Sequence, residues 1–127
     1  MAPKHQVPTE SELQILSVLW ELGPATVRQV HTAIVKQRDV GYTTVLKLMQ
    51  IMLDKGLLLR DEAARSHVYR PAVARSRTQR RLARNLIDAA FSGSSKTLVI
   101  EALGARRPSA EELADIRKLL DDMEGAK

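Results

Sequence analysis

The sequence predicts a mainly α-helical protein with one small β-hairpin. Four helix-start signals recur along its 127 residues, each a Ser or Thr followed three positions later by Glu or Gln. This pair is the capping box that opens a helix. In the middle of the chain, two short runs rich in apolar or β-favouring residues replace the helical spacing. A chain of 127 residues fits one domain, or a small domain with an appended helical segment, and 44% of apolar residues suffice for a core.

The first two helices are predicted from their capping signals. "TESE" places Thr9 at a helix start with Glu12 three residues on, and Gly23-Pro24 stops that helix. "TVRQ" repeats the signal with Thr26 and Gln29, and apolar residues follow it at helical spacing.

The third helix is predicted in the stretch "YTTVLKLMQIMLDKGLL", from Tyr42 to Leu58. Helical spacing divides it into an apolar face and a polar face. The apolar face consists of Val45, Leu48, Met49 and Met52, and the polar face of Thr43, Thr44, Lys47 and Gln50. We expect Thr43 or Thr44 to cap the helix, and Lys55-Gly56 to end it.

The hairpin is predicted in "LLLRDE" and "HVYR", which "AARS" separates. Pro71 ends the second strand. Three further helices are then predicted: one opened by "SRTQ" with Ser76 as its cap, one from about Ser95 to Leu103, and one opened by "SAEE" with Ser109 as its cap.

This order of three helices and a hairpin matches a winged helix-turn-helix, in which the third helix enters the major groove of DNA and the hairpin lies along the backbone. We therefore expect a winged-helix DNA-binding domain over residues 1–75. Residues 76–127 would form a C-terminal helical dimerisation segment, because its three helices carry more apolar surface than they can bury alone. The predicted dimerisation residues are Leu82, Leu86, Ile87, Leu98, Ile100, Leu103, Leu113, Ile116 and Leu120.

Six residues are the candidates for DNA contact. Thr43, Thr44, Lys47 and Gln50 lie in the half of the third helix that touches bases and phosphates in such domains. Arg65 at the hairpin tip is expected to contact the backbone, and Tyr69 either binds a phosphate or packs on the hairpin.

The charge distribution favours a nucleic-acid partner. The net charge is +5, and eight arginines lie between Arg60 and Arg84 against two acids. Arginine suits phosphate geometry, although the distal arginines also fit a solvated helix face. The alternative function is a winged-helix protein–protein interaction module without sequence-specific DNA binding. The two functions differ in the salt dependence of binding, because DNA binding weakens steeply as the salt concentration rises.

Other function classes are not expected. The chain has no cysteine, which excludes disulfides and thiolate metal sites, and its three histidines share no metal-ligand spacing. No catalytic constellation stands out, so we expect neither an enzyme nor a cofactor. Neither a signal peptide nor a stretch of membrane-spanning length is present, which predicts a cytoplasmic protein without direct membrane insertion.

Several motifs resemble the penicillinase-repressor family of bacterial transcription regulators, the BlaI/MecI/CopY group. They are "LWELGPATVRQVH", "YTTVLKLMQIMLDKGLL", "ARSHVYRP" and "SAEELADIRKLL", and the resemblance extends from about Pro8 to Met123. It implies a homodimeric repressor that binds a dyad-symmetric operator. It also implies relief of repression by cleavage of the C-terminal segment, triggered in several members by a membrane-bound sensor protease. The copper-thiolate mechanism of some relatives is excluded because cysteine is absent.

The sequence departs from the family pattern in the third helix. Ile51 replaces a common arginine, Leu53 replaces a polar residue, and Lys47 replaces a frequent threonine, so the operator sequence is expected to differ. The bond that matches the family's cleavage site is Glu101–Ala102, where the residue types also differ from those of cleaved members. The alternative is that this segment is simply a packed helix that is never cut.

Overall fold

The computed structural model describes residues 7–63 and 65–126, and it contains six helices and a two-stranded antiparallel sheet in the predicted order. The elements are α1 (Glu10–Leu22), α2 (Val27–Ile34), α3 (Tyr42–Asp54), β1 (Leu58–Asp61), β2 (Val68–Pro71), α4 (Arg75–Ala90), α5 (Ser95–Ala105) and α6 (Ala110–Gly125). The predicted fold class, mainly helical with a small hairpin, is confirmed.

The capping boxes of α1 and α2 are both formed. The Thr9 hydroxyl accepts from the Glu12 amide at 3.2 Å, and the Glu12 carboxylate accepts from the Thr9 amide at 2.9 Å. Thr26 and Gln29 make the same reciprocal pair at 3.2 and 2.8 Å. Gly23 ends α1 with φ of 82°, a conformation that glycine adopts without a steric penalty.

The predicted start of α4 is wrong by two residues, because a cap at Ser76 would make Arg77 the first helical residue. The helix begins at Arg75, so Ser76 lies inside its first turn and does not cap it. The hydrogen bond from the Thr78 amide to the Ala74 carbonyl, at 3.1 Å, shows that the helical pattern starts before Ser76. The hydroxyls of Ser94 and Ser109 accept from the N3 amides of α5 and α6, which confirms Ser109 as the cap of α6.

The hairpin pairs Leu58 with Pro71 and Asp61 with Val68. An isolated bridge adds Ala25 to the sheet, with hydrogen bonds of 3.0 and 2.8 Å between the backbones of Ala25 and Tyr69. The segment between α1 and α2 is therefore fixed to the inner strand of the wing, by which we mean β1, β2 and the residues between them.

The chain packs as two compact units, one up to Leu82 and the other from Ala83. This division falls inside α4, and the predicted functional boundary after residue 75 stays a prediction. All buried apolar residues of the described chain belong to the first unit. They are Ile15, Leu16, Leu19, Ala25, Val27, Val30, Ile34, Val45, Met49, Met52, Leu58 and Tyr69.

One ion pair lies at the edge of this core. The Lys55 ammonium group donates to both Glu12 carboxylate oxygens, at 2.7 and 2.8 Å, and Glu12 is only 2% exposed. Burial alone would raise the pKa of Glu12, but the hydrogen bonds from Lys55 and Thr9 outweigh it and hold the pKa below its ordinary value. The pair joins the start of α1 to the end of α3.

The last three helices differ from the first unit in the burial of their side chains. No described side chain of α4, α5 or α6 is buried, although these helices carry many large apolar residues. Leu86, Ile100 and Leu120 are each about half exposed, at 49%, 54% and 52%. These helices therefore leave apolar surface in contact with solvent.

Candidate nucleic-acid interface

The two faces of α3 lie as the helical spacing predicts. Val45, Met49 and Met52 are buried, and Leu48 packs against the core from a half-buried position. The predicted contact residues Thr43, Thr44, Lys47 and Gln50 are all exposed. The residues that sequence reasoning selected on α3 therefore form one accessible polar face.

The start of α3 differs from the expectation. Gly41 occupies the N-cap position and supplies no side-chain cap, so neither Thr43 nor Thr44 caps the helix. The two threonines stand at the second and third helical positions, one turn before Lys47. The first amides of an uncapped helix remain free to bind an acceptor, and the helix dipole favours an anion there.

The two apolar residues among the three family departures on α3 have different environments. Ile51 is 40% exposed and follows Lys47 by one helical turn, so it adds an apolar side chain to the accessible face. Leu53 is partly buried and packs against the core. Its apolar character therefore serves packing, and of the two only Ile51 adds apolar surface to the accessible face.

The wing separates its two candidate residues. Arg65 is exposed in the turn that joins the strands. Tyr69 is 2% exposed and lies in the core, which fits the packed alternative.

Some of the arginines in the basic stretch are already paired. Arg60 binds Glu62. Arg75 lies 3.4 Å from the Glu21 carboxylate, with its guanidinium carbon 5.9 Å from the centre of the Trp20 ring. These two arginines therefore contribute less free positive charge than the sequence suggests.

Beside the start of α3, the structure also forms a cleft that sequence reasoning missed. It encloses about 340 Å³, and we call it the Arg28 cleft. Its lining residues are Thr26, Val27, Arg28, Tyr42, Leu46, Ser66, His67 and Tyr69. They come from α2, α3 and the wing, so no local motif connects them in the sequence. The one local indication of a binding site is the arginine in the first turn of α2.

Aromatic contacts hold the α3 side of this cleft. The Arg28 guanidinium carbon lies 5.6 Å from the centre of the Tyr42 ring. The His31 ring meets Tyr42 edge to face, with centroids 5.9 Å apart, and His31 Nε2 donates to the Val40 carbonyl at 2.8 Å. The donor role of Nε2 follows from its partner, because a carbonyl oxygen only accepts.

Metal clusters and membrane-spanning helices are both absent from the described part of the chain. No group of three or more potential metal ligands occurs among residues 7–63 and 65–126. Within those residues no helix is both long enough and apolar enough to cross a membrane.

Comparison with known proteins gives consistent matches. The family model described as penicillinase repressor matches residues 8–122. The transcriptional regulator BlaI of Mycobacterium tuberculosis is 33% identical over 115 residues, which cover 89% of this chain and 82% of the relative. The methicillin resistance regulatory protein MecI of Mammaliicoccus sciuri is 21% identical over 113 residues, covering 89% of this chain and 92% of the relative.

A solved structure supports the fold. The monomeric form of Bacillus licheniformis BlaI, solved in complex with the blaP half-operator, matches with a TM-score of 0.50 at 22% identity. The match covers 60% of this chain and 89% of that one. At 22% identity the match establishes only the winged-helix architecture of the matched part.

Proposed function

The chain belongs to the penicillinase-repressor family, and from this premise we propose that it is a homodimeric transcriptional repressor that binds a dyad-symmetric operator. The observation that carries the proposal is the exposed polar face of α3, which stands in the same compact unit as the arginine-bearing wing. In a winged helix, this face enters the major groove and the wing follows the backbone.

The proposed contacts divide by chemistry. Lys47 and Gln50 can reach base edges, since lysine binds the guanine acceptors and glutamine pairs with adenine. Thr43 and Thr44 suit bases or phosphates, and Arg65 suits the backbone. Ile51 is exposed and would offer an apolar contact, for example to a thymine methyl group. An arginine is common at this position in the family.

Dimerisation is proposed through α4, α5 and α6. The support is its half-exposed apolar surface, because the described part of α4–α6 contains no buried side chain. Soluble proteins seldom leave such surface uncovered, and a second copy would cover it through a two-fold symmetric interface. A dimer also presents two copies of α3, which a dyad-symmetric operator requires.

The last part of the proposal is relief of repression by proteolysis. Glu101 and Ala102 lie in α5 and both are exposed. A cut between them would separate α6 from the rest of the chain and divide the dimerisation surface. A membrane-bound sensor protease system is the partner that the family pattern suggests, and the alternative is that this helix is never cut.

Selection of bound duplexes from a random DNA pool tests the function directly. We expect the full-length chain to enrich one sequence with two-fold symmetry. Failure to enrich any sequence, combined with salt-independent binding to a protein partner, would favour the interaction-module alternative.

A further inference from the structure

The Arg28 cleft has the chemistry of an anion site. Its lining contains one guanidinium group, one imidazole and several hydroxyl-bearing side chains, and it contains no carboxylate. Among the residues that the structure describes, no carboxylate lies within salt-bridge distance of Arg28. The positive charge of Arg28 is therefore available to a ligand.

The side chain of Arg28 is also held in place. It lies over the Tyr42 ring, and His31 contacts the same ring edge to face. The hydrogen bond from His31 to the Val40 carbonyl in turn fixes the imidazole. Ordering an arginine side chain costs conformational entropy, and a stacked guanidinium group has already lost part of it before a ligand arrives.

The first turn of α2, which lines the cleft, also offers backbone donors. The Thr26 cap accepts from the Gln29 amide, which leaves the amides of Val27 and Arg28 in the first turn of α2 for other acceptors. Amides of this kind and a guanidinium group both bind phosphate oxygens. The cleft is bounded by α2, α3 and the wing, so a ligand bound there also lies next to the start of α3.

We propose that the Arg28 cleft binds one backbone phosphate of duplex DNA, with Arg28 as the residue that contacts the phosphate and Tyr42 as the positioning residue. The proposal rests on the proposed function. It adds a phosphate contact at the α2 side of α3, distinct from that of Arg65 at the wing tip. Because a phosphate carries no sequence information, this contact would strengthen binding to every duplex equally.

The test compares Arg28→Ala with Arg107→Ala, which removes an equal charge from an exposed residue after α5. Affinity is measured for the selected operator and for an unrelated duplex, at about 50 and about 200 mM salt. We expect Arg28→Ala to bind both duplexes about tenfold more weakly at the lower salt concentration. Its slope of log affinity against log salt should fall by about one, while Arg107→Ala keeps the wild-type slope.

Tyr42 variants separate positioning from folding. Tyr42→Phe keeps the ring and should bind DNA as the wild type does. Tyr42→Ala should lose part of the DNA affinity that Arg28 contributes. Wild-type salt slope and affinity in Arg28→Ala would overturn the cleft assignment while the proposed function stands. A loss confined to the selected operator would overturn it as well, because it would indicate a base contact. Absence of DNA binding by the wild type would instead refute the proposed function, and the cleft assignment with it.

Discussion

Lys47 on α3 can contact either a base or a phosphate. A single substitution distinguishes these two roles. If it reads a base, Lys47→Ala should cost about 1–3 kcal/mol on the selected operator and much less on unrelated duplexes. If it binds only phosphate, the loss should be equal on all sequences and the salt slope should fall by about one. Lys118→Ala, at an exposed position of α6, is the matched control.

Arg65 at the wing tip should follow the phosphate pattern alone. We expect Arg65→Ala to weaken binding to all duplexes alike and to reduce the salt slope by about one. Wild-type affinity for both the Lys47 and Arg65 variants, at two salt concentrations, would refute docking through α3 and the wing.

Glu12 makes the stability of the first unit depend on pH. Its pKa is lowered in the folded state, so its ionised form adds stability above the unfolded-state pKa of about 4.3, and this stability is lost as the pH falls through the folded-state pKa. We expect Glu12→Gln to be less stable than the wild type at neutral pH and to show a flatter stability profile below about pH 4.5. Urea unfolding at fixed protein concentration measures both effects.

The control for this prediction is Glu124→Gln, which changes an exposed carboxylate near the end of α6. It should leave the stability profile of the wild type unchanged. A profile for Glu12→Gln that runs parallel to that of the wild type would show that the ion pair with Lys55 does not control acid stability.

At the scale of the elements, α5 and α6 determine whether cleavage can act as a switch. A chain truncated after Glu101 should dimerise more weakly and lose about 10²- to 10⁴-fold in operator affinity, because each half-site would then be bound separately. A chain ending at Glu124 serves as the control. If the chain ending at Glu101 dimerises and binds as tightly as the full chain, cleavage at Glu101–Ala102 could not relieve repression.

Most elements with local signals could be predicted, although the signal at Ser76 misplaced the start of α4, and a site assembled from distant elements could not be predicted. The caps of α1 and α2 followed from Thr9 and Thr26, because a capping box lies within four residues. The start of α3 was misplaced because Gly41 caps it without a side-chain signal. The Arg28 cleft was missed because its lining joins α2, α3 and the wing, and their contact depends on the tertiary fold.

For the whole molecule, binding to a dyad-symmetric operator requires association through α4, α5 and α6. We expect sedimentation at micromolar concentration to show a dimer and Leu120→Asp to shift it towards monomer, since the variant places a charge in the exposed apolar surface. Lys118→Asp, two residues away on an exposed position, should remain dimeric. A wild-type chain that sediments only as monomer would contradict this part of the account.

The central claim is that this chain is a repressor which binds duplex DNA as a symmetric dimer. The most direct measurement is a titration of the selected operator and of its isolated half-site with the full-length chain, at about 50 and about 200 mM salt. The account predicts two chains on each full operator, much weaker binding to the half-site, and a steep loss of affinity at the higher salt concentration. One chain per operator, equal affinity for the half-site, or affinity that does not change with salt would contradict it.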